Sequence, residues 1–171
     1  MTHIRLMLET DIATVSEIRV AGWQSAYEGI IPKTYLDGMS TEQDARSRLE
    51  AFRSPGRRAI DLVAVDATDT PLGWLCFGPY KGDVDVPEAA GEIYALYVRP
   101  DLIGTGIGRS LLQEAHRRAA QQYRVMLLWV VRDNRRARDF YAAAAYFHDG
   151  ATASEDYQNQ SVIDVRYRRQ L

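Results

Sequence analysis

The stretch from Glu92 to Gly108, Glu-Ile-Tyr-Ala-Leu-Tyr-Val-Arg-Pro-Asp-Leu-Ile-Gly-Thr-Gly-Ile-Gly, leaves this chain few folds to choose from. An apolar strand runs into a glycine-rich turn, and the helix opening at Arg109-Ser-Leu-Leu-Gln-Glu-Ala-His follows at once. A strand that turns this sharply into a helix aims several free backbone N–H groups at one point, at the positive end of the helix dipole. Glycines let that backbone approach a ligand without Cβ clashes. Such a junction implies a phosphate-bearing ligand.

The length, 171 residues, suits a single well-packed domain. A net charge of -2 argues against non-specific nucleic-acid binding as the main task. Nearly all of the positive charge is arginine, with Lys33 and Lys81 the only lysines. One cysteine, Cys76, excludes an intrachain disulfide and reads as a core residue of an apolar strand. His3, His116 and His148 have no metal-ligand spacing, so no metal is expected. The N-terminal residues lack a signal-peptide core, and no run is long enough to span a membrane. These features predict a cytoplasmic, soluble protein.

The apolar periods divide the rest of the chain. Ile4–Leu8 reads as a strand, and a helix capped by Thr10 or Asp11 should run to about Tyr27. A short helical turn at Thr34–Leu36 precedes a second helix, opened by Ser40 with Gln43 as a capping box and ended by Pro55-Gly56. Ile60–Val65 and Leu72–Phe77 form a hairpin pattern. After the glycine turn, Ile107, Leu111, Leu112, Ala115 and Ala119 mark one helix face. Val125–Val131 is a strand covered on both sides, Asn134–Tyr146 a further helix, and Val162–Arg169 an outer strand whose edge could pair a homodimer. The fold class is α/β, a mixed central sheet flanked by helices in one domain.

This order of elements resembles the GNAT superfamily of acetyl-CoA-dependent N-acetyltransferases. Two motifs carry the resemblance. The family's cofactor loop, Arg/Gln-x-x-Gly-x-Gly/Ala after Val-x-Pro, is matched by Val98-Arg99-Pro100 and by Gly104, Gly106 and Gly108, with Ile103 where Arg or Gln is usual. The second motif, Asn-x-x-Ala-x-x-Phe-Tyr-x-x-x-Gly-Phe, is matched by Asn134, Ala137, Phe140 and Tyr141, with Ala145 for Gly and Tyr146 for Phe.

The resemblance implies acetyl-CoA as cofactor, held by Ile103, Gly104, Thr105, Gly106, Ile107, Gly108 and Arg109 at the pyrophosphate, by the backbone of Leu96, Tyr97 and Val98 along the pantetheine arm, and by Asn134. It implies Tyr141 as the acid that meets the departing thiolate, and Glu92 as general base for the amine; a strand-end carboxylate that is only solvated or cap-bonded is the equal alternative for Glu92. Strict alternation would place Glu92 on one face with Tyr94, Leu96 and Val98. Asn134 also reads as a helix N-cap, and Tyr141 as a core aromatic.

Trp23, Tyr27 and Tyr94 are candidate acceptor contacts, against the simpler reading that the aromatics pack the first helix on the sheet. Asp83, Asp85 and Glu88 would form an acidic rim favouring a small cationic amine, although a protein amino group stays open as acceptor. Two other readings remain. A dinucleotide-binding oxidoreductase conflicts with Arg109 at the third glycine position of its fingerprint. A non-catalytic acyl-CoA-binding module conflicts with the retained Tyr141.

Overall fold

The computed structural model describes residues 2–82, 86 and 89–171. Seven strands, β1 (His3–Leu6), β2 (Ile60–Val65), β3 (Pro71–Pro79), β4 (Ala90–Val98), β5 (Val125–Val131), β6 (Phe147–Tyr157) and β7 (Gln160–Gln170), form one mixed sheet in the order β1-β2-β3-β4-β5-β7-β6. The helices are α1 (Ile12–Ala26), α2 (Lys33–Asp37), α3 (Thr41–Arg53), α4 (Ile107–Ala119) and α5 (Arg135–Ala143). All neighbouring strands run antiparallel except β4 and β5, which the α4 crossover makes parallel.

Each helix forms where its sequence predicts one, and its apolar stripe decides which face of the sheet it covers. Ile107, Leu111, Leu112, Ala115 and Ala119 of α4 are all buried, and with α5 they cover Leu62, Leu75, Phe77, Ile93, Met126 and Leu128. The α1 residues Ile12 and Val15 cover the opposite face with Val63, Trp74 and Cys76. Ser40 Oγ accepts the Gln43 amide at 3.2 Å, as the capping pattern requires. Gly22 lets α1 approach β4, since a Cβ there would lie 2.7 Å from the Tyr97 ring. Cys76 is buried, and burial pushes its thiol well above the ordinary value, so it behaves as a core residue.

Three expectations need correction. The segment Val162–Arg169 is not an outer strand: β7 lies between β5 and β6, so its edges are both paired. The outer strand is β6, joined to β7 by a two-residue turn with Gln158 and Asn159 at φ 49° and 68°. An association through the C-terminal strand's edge is therefore not available to this fold. Next, the helix expected over Asn134–Tyr146 ends at Ala143. Ala145 turns left-handed at φ 62°, and the Tyr146 amide reaches back to the Tyr141 carbonyl at 3.0 Å while the Ala145 amide bonds Ala142. This Schellman closure brings the Tyr141 and Tyr146 rings to 5.8 Å. The Tyr146 hydroxyl then pairs with Nε2 of His116 at 2.7 Å, and burial lowers that histidine to about 4, keeping it neutral near pH 7.

The third correction concerns β4 itself. Its register against β3 slips between Cys76↔Ala95 and Phe77↔Ile93, leaving Tyr94 as an extra residue. Ile93, Leu96 and Val98 pack towards α4, whereas Tyr94, Ala95 and Tyr97 pack towards α1. Glu92 therefore shares a face with Tyr94 and Tyr97, and not with Leu96 or Val98, because the bulge inverts the alternation midway.

Ala145 occupies a backbone conformation that penalises every L side chain. Ala145→Gly should raise stability by about 0.5–1 kcal/mol in urea unfolding with an unchanged m-value; equal or lower stability would show that the turn is not strained.

Candidate active site

The site begins where a pairing ends. β4 and β5 are hydrogen-bonded only from Ala90↔Val125 to Ile93↔Leu128. Beyond that point β4 still pairs β3 through Gly73↔Val98, and β5 still pairs β7 through Val131↔Asp164. A wedge thus opens in the middle of the sheet. The Arg99 amide donates to the Leu72 carbonyl at 3.0 Å, so Arg99 and, by alternation, Tyr97 face β3. The N–H and C=O groups of Leu96 and Val98 accordingly face the wedge, where an extended ligand can pair with them as a further strand would.

At the mouth of the wedge stands the glycine loop. Gly104 and Gly106 adopt φ 90° and 94°, with open space where a Cβ would sit, so their role is conformational. Gly106 is the N-cap of α4, and the first helical bond is Ser110 N–H to its carbonyl at 3.0 Å. The amides of Ile107, Gly108 and Arg109 consequently have no acceptor within the helix and point outward along its dipole. Gly108 differs: a Cβ there would make ordinary contacts of 3.6 Å with Phe140 and Val98. The Ile103 amide turns back to Pro100 at 3.4 Å and that of Thr105 to Leu102 at 3.3 Å, while the Thr105 hydroxyl also bonds Leu102. The anion cradle is thus centred on the first turn of α4, with exposed Ile103 and Arg109 at its rim. A pyrophosphate fits this cradle, because it offers unpaired N–H donors, a helix N-terminus and no Cβ in the way.

On the far side of the wedge, α5 brings in the second motif. Asn134 Oδ1 accepts the Ala137 amide at 3.1 Å, so the residue caps α5 rather than lying within it. Tyr141 is buried at 9 % exposure, with Phe140 and Tyr146 edge-on at 5.1 and 5.8 Å. Burial raises its hydroxyl pKa, and the nearby Tyr97 hydroxyl raises it further. Tyr141 is therefore a protonated hydroxyl at neutral pH.

Glu92 lies at the foot of the wedge, opposite Gly78 and Leu127. It is half-buried, and burial raises its pKa, against which the Lys81 amide donates to Oε2 at 3.2 Å. Tyr94 gives its hydroxyl to the Pro79 carbonyl and its ring to the Lys81 ammonium at 4.0 Å, so it shapes the wall beside Glu92. Asp83, Asp85 and Glu88, the expected acidic rim, lie outside the described residues.

Trp23 and Tyr27 meet edge-on at 4.9 Å and gather with Tyr35 and Tyr157 above the open end of β5. They pack α1 onto the sheet, and they also wall the wedge: the Tyr27 hydroxyl neighbours those of Tyr97 and Tyr141 and the Asp164 carboxylate. The sequence reading missed Asp164 and Tyr157, whose strand pairing could not be read without β6.

The Acetyltransferase (GNAT) family matches residues 21–146. The chain belongs to this family. It is an acetyl-CoA-dependent N-acetyltransferase. It is similar to an uncharacterised N-acetyltransferase of Archaeoglobus fulgidus, 48% identical over 119 residues, or 69% of this chain and 77% of that one. It is also similar to a spermidine N(1)-acetyltransferase of Thermoplasma acidophilum, 25% identical over 67% of this chain and 68% of that protein. In fold it is similar to the PaiA N-acetyltransferase of Thermoplasma acidophilum in complex with coenzyme A, with a TM-score of 0.73 and 20% identity over 100% of this chain and 99% of that one.

The two glycine classes separate experimentally. Gly106→Ala should weaken acetyl-CoA binding at least tenfold in calorimetry and cost about 1 kcal/mol of stability, because its φ resists a Cβ. Gly108→Ala should leave stability within about 0.5 kcal/mol. Equal effects of the two substitutions would contradict a conformational role for Gly106.

Proposed function

We propose that this N-acetyltransferase moves the acetyl group of acetyl-CoA onto the primary amine of a small, cationic acceptor, by direct attack with both substrates bound. The observation that carries the reading is the wedge itself, which opens to the α4 cradle on one side and to Glu92 and the Trp23–Tyr27 wall on the other. Two ligands can therefore meet there from opposite faces of the sheet. The spermidine-acetylating relative supports a cationic acceptor.

The donor supplies a thioester whose carbonyl the amine attacks. The chain's part is positional and electrostatic. The Leu96 and Val98 amides would hold the pantetheine arm, and a wedge-facing N–H would stabilise negative charge on the carbonyl oxygen. Alkyl amines titrate near about 10.4 and enter mostly protonated, so a base must take a proton before or during attack. Glu92 fills that role, directly or through water: burial raises its pKa, which makes its carboxylate a stronger proton acceptor. Tyr141 is protonated and buried on the α5 side, suited to donate to the departing sulfur.

Tyr141→Phe should lower kcat about 100-fold while leaving the acetyl-CoA Kd within twofold. Unchanged turnover would remove Tyr141 as the acid. For Glu92 the sign follows from the raised pKa: the working form is ionised, so wild-type kcat/KM should fall on the acid side, at a pH above that of an exposed glutamate. Glu92→Gln should lower kcat/KM and abolish that acid limb. A retained limb would assign the base to another group.

A further inference from the structure

Asp164 is a half-buried carboxylate that forms no ion pair among the described residues. It lies on β7 opposite Val131, and its side chain shares a sheet face with Val131 and Val162. Both of those residues belong to the cluster built by Trp23, Tyr27, Tyr35 and Tyr157, so Asp164 borders an aromatic wall at the open end of β5. The turn joining β6 to β7 is fastened there: Thr34 donates to Gln158, and Gln160 to the Ile30 carbonyl. Neighbouring carboxylates have partners. Glu155 accepts the Tyr157 hydroxyl at 3.0 Å, and Asp149 holds Arg166 at 2.8 Å. Among the described residues, no ion pair or hydrogen bond to Asp164 is formed, and its polar neighbour in the wall is the neutral Tyr27 hydroxyl.

A half-buried carboxylate without a cation costs free energy in the folded protein, and a bound cation returns it. Burial and the nearby Glu155 both raise the Asp164 pKa, as expected of an uncompensated charge. Aromatic faces beside a carboxylate suit an ammonium group, through attraction to the rings together with the ion pair.

We infer that Asp164 selects the acceptor, holding the second ammonium of a diamine or polyamine while the first amine faces the thioester. The inference rests on the proposed amine acetylation and adds its specificity. Glu92 and Asp164 stand on opposite sides of the wedge, on β4 and β7 with β5 between them. Glu92 serves the reacting amine at one end of the acceptor, and Asp164 fixes the other end. Asp164 is a specificity residue and takes no proton in the reaction.

Steady-state kinetics with 1,4-diaminobutane, spermidine and n-butylamine test this on wild type and Asp164→Asn, an isosteric change whose folding is checked by acetyl-CoA affinity. Wild type should prefer the diamines over n-butylamine in kcat/KM. In Asp164→Asn the diamine KM should rise about 10- to 100-fold with kcat within a few fold, so that this preference collapses. Asp164→Glu should restore part of it. An unchanged preference, or an equal fall in kcat for all three amines, would overturn the selecting role. Failure of the wild type to acetylate any of the amines would instead overturn the acceptor reading on which it rests.

Discussion

The parallel ladder between β4 and β5 stops at Ile93, and everything distinctive about this molecule depends on that interruption. A buried strand that gives up a partner leaves backbone groups unpaired, which is costly unless something else binds them. Here each strand keeps its outer neighbour, so the sheet holds together while the Leu96 and Val98 amides face open space. The bulge at Tyr94 belongs to the same device. It turns Leu96 and Val98 towards α4 while leaving Glu92 and Tyr97 on the α1 side, which gives the two faces of the wedge different chemistry. One face meets the helix N-terminus and its anion cradle. The other meets carboxylates and aromatic rings.

Burial shifts the titration of the polar groups around the wedge. Glu92, Tyr141 and Asp164 all have raised pKa values, and in each case desolvation is the leading cause. The consequence differs with the group. At Glu92 the raised value makes the carboxylate a better proton acceptor, at Asp164 it reflects a charge without a counterion, and the raised Tyr141 phenol stays protonated. Close packing fixes the tyrosines of the wedge. Tyr97 is wedged between Gly22 and Trp74, whose ring stacks on it at 6.3 Å, and Tyr141 is fixed by the closure at Ala145.

Much of this was legible in the sequence, because local rules write it. The glycine turn, the α4 stripe, the Ser40 cap and the β2–β3 hairpin are each encoded within a short stretch of sequence, and all four stand in the structure. The second motif marked the helix bearing Tyr141. What escaped was non-local or lacked the usual signals. β6 is an exposed edge strand with mostly polar side chains, and its turn uses Gln158-Asn159 where Asn-Gly would announce a hairpin. Without β6, the place of β7 was misjudged, and Asp164 could not be assigned to the wedge. The Tyr94 bulge was equally hidden, since one extra residue in an apolar run leaves no compositional trace. At Ala145 the motif's missing glycine was visible, but the left-handed backbone that makes it matter was not.

The central claim is that backbone amides freed by the wedge, together with the first turn of α4, receive acetyl-CoA. Amide hydrogen exchange followed by NMR, with and without acetyl-CoA, tests it at single residues. The account predicts new protection at Leu96 and Val98 and across Ile107–Arg109, with the Tyr97 amide, already turned towards β3, nearly unchanged. Protection confined to other elements, or binding that leaves Leu96 and Val98 exchanging as before, would contradict it.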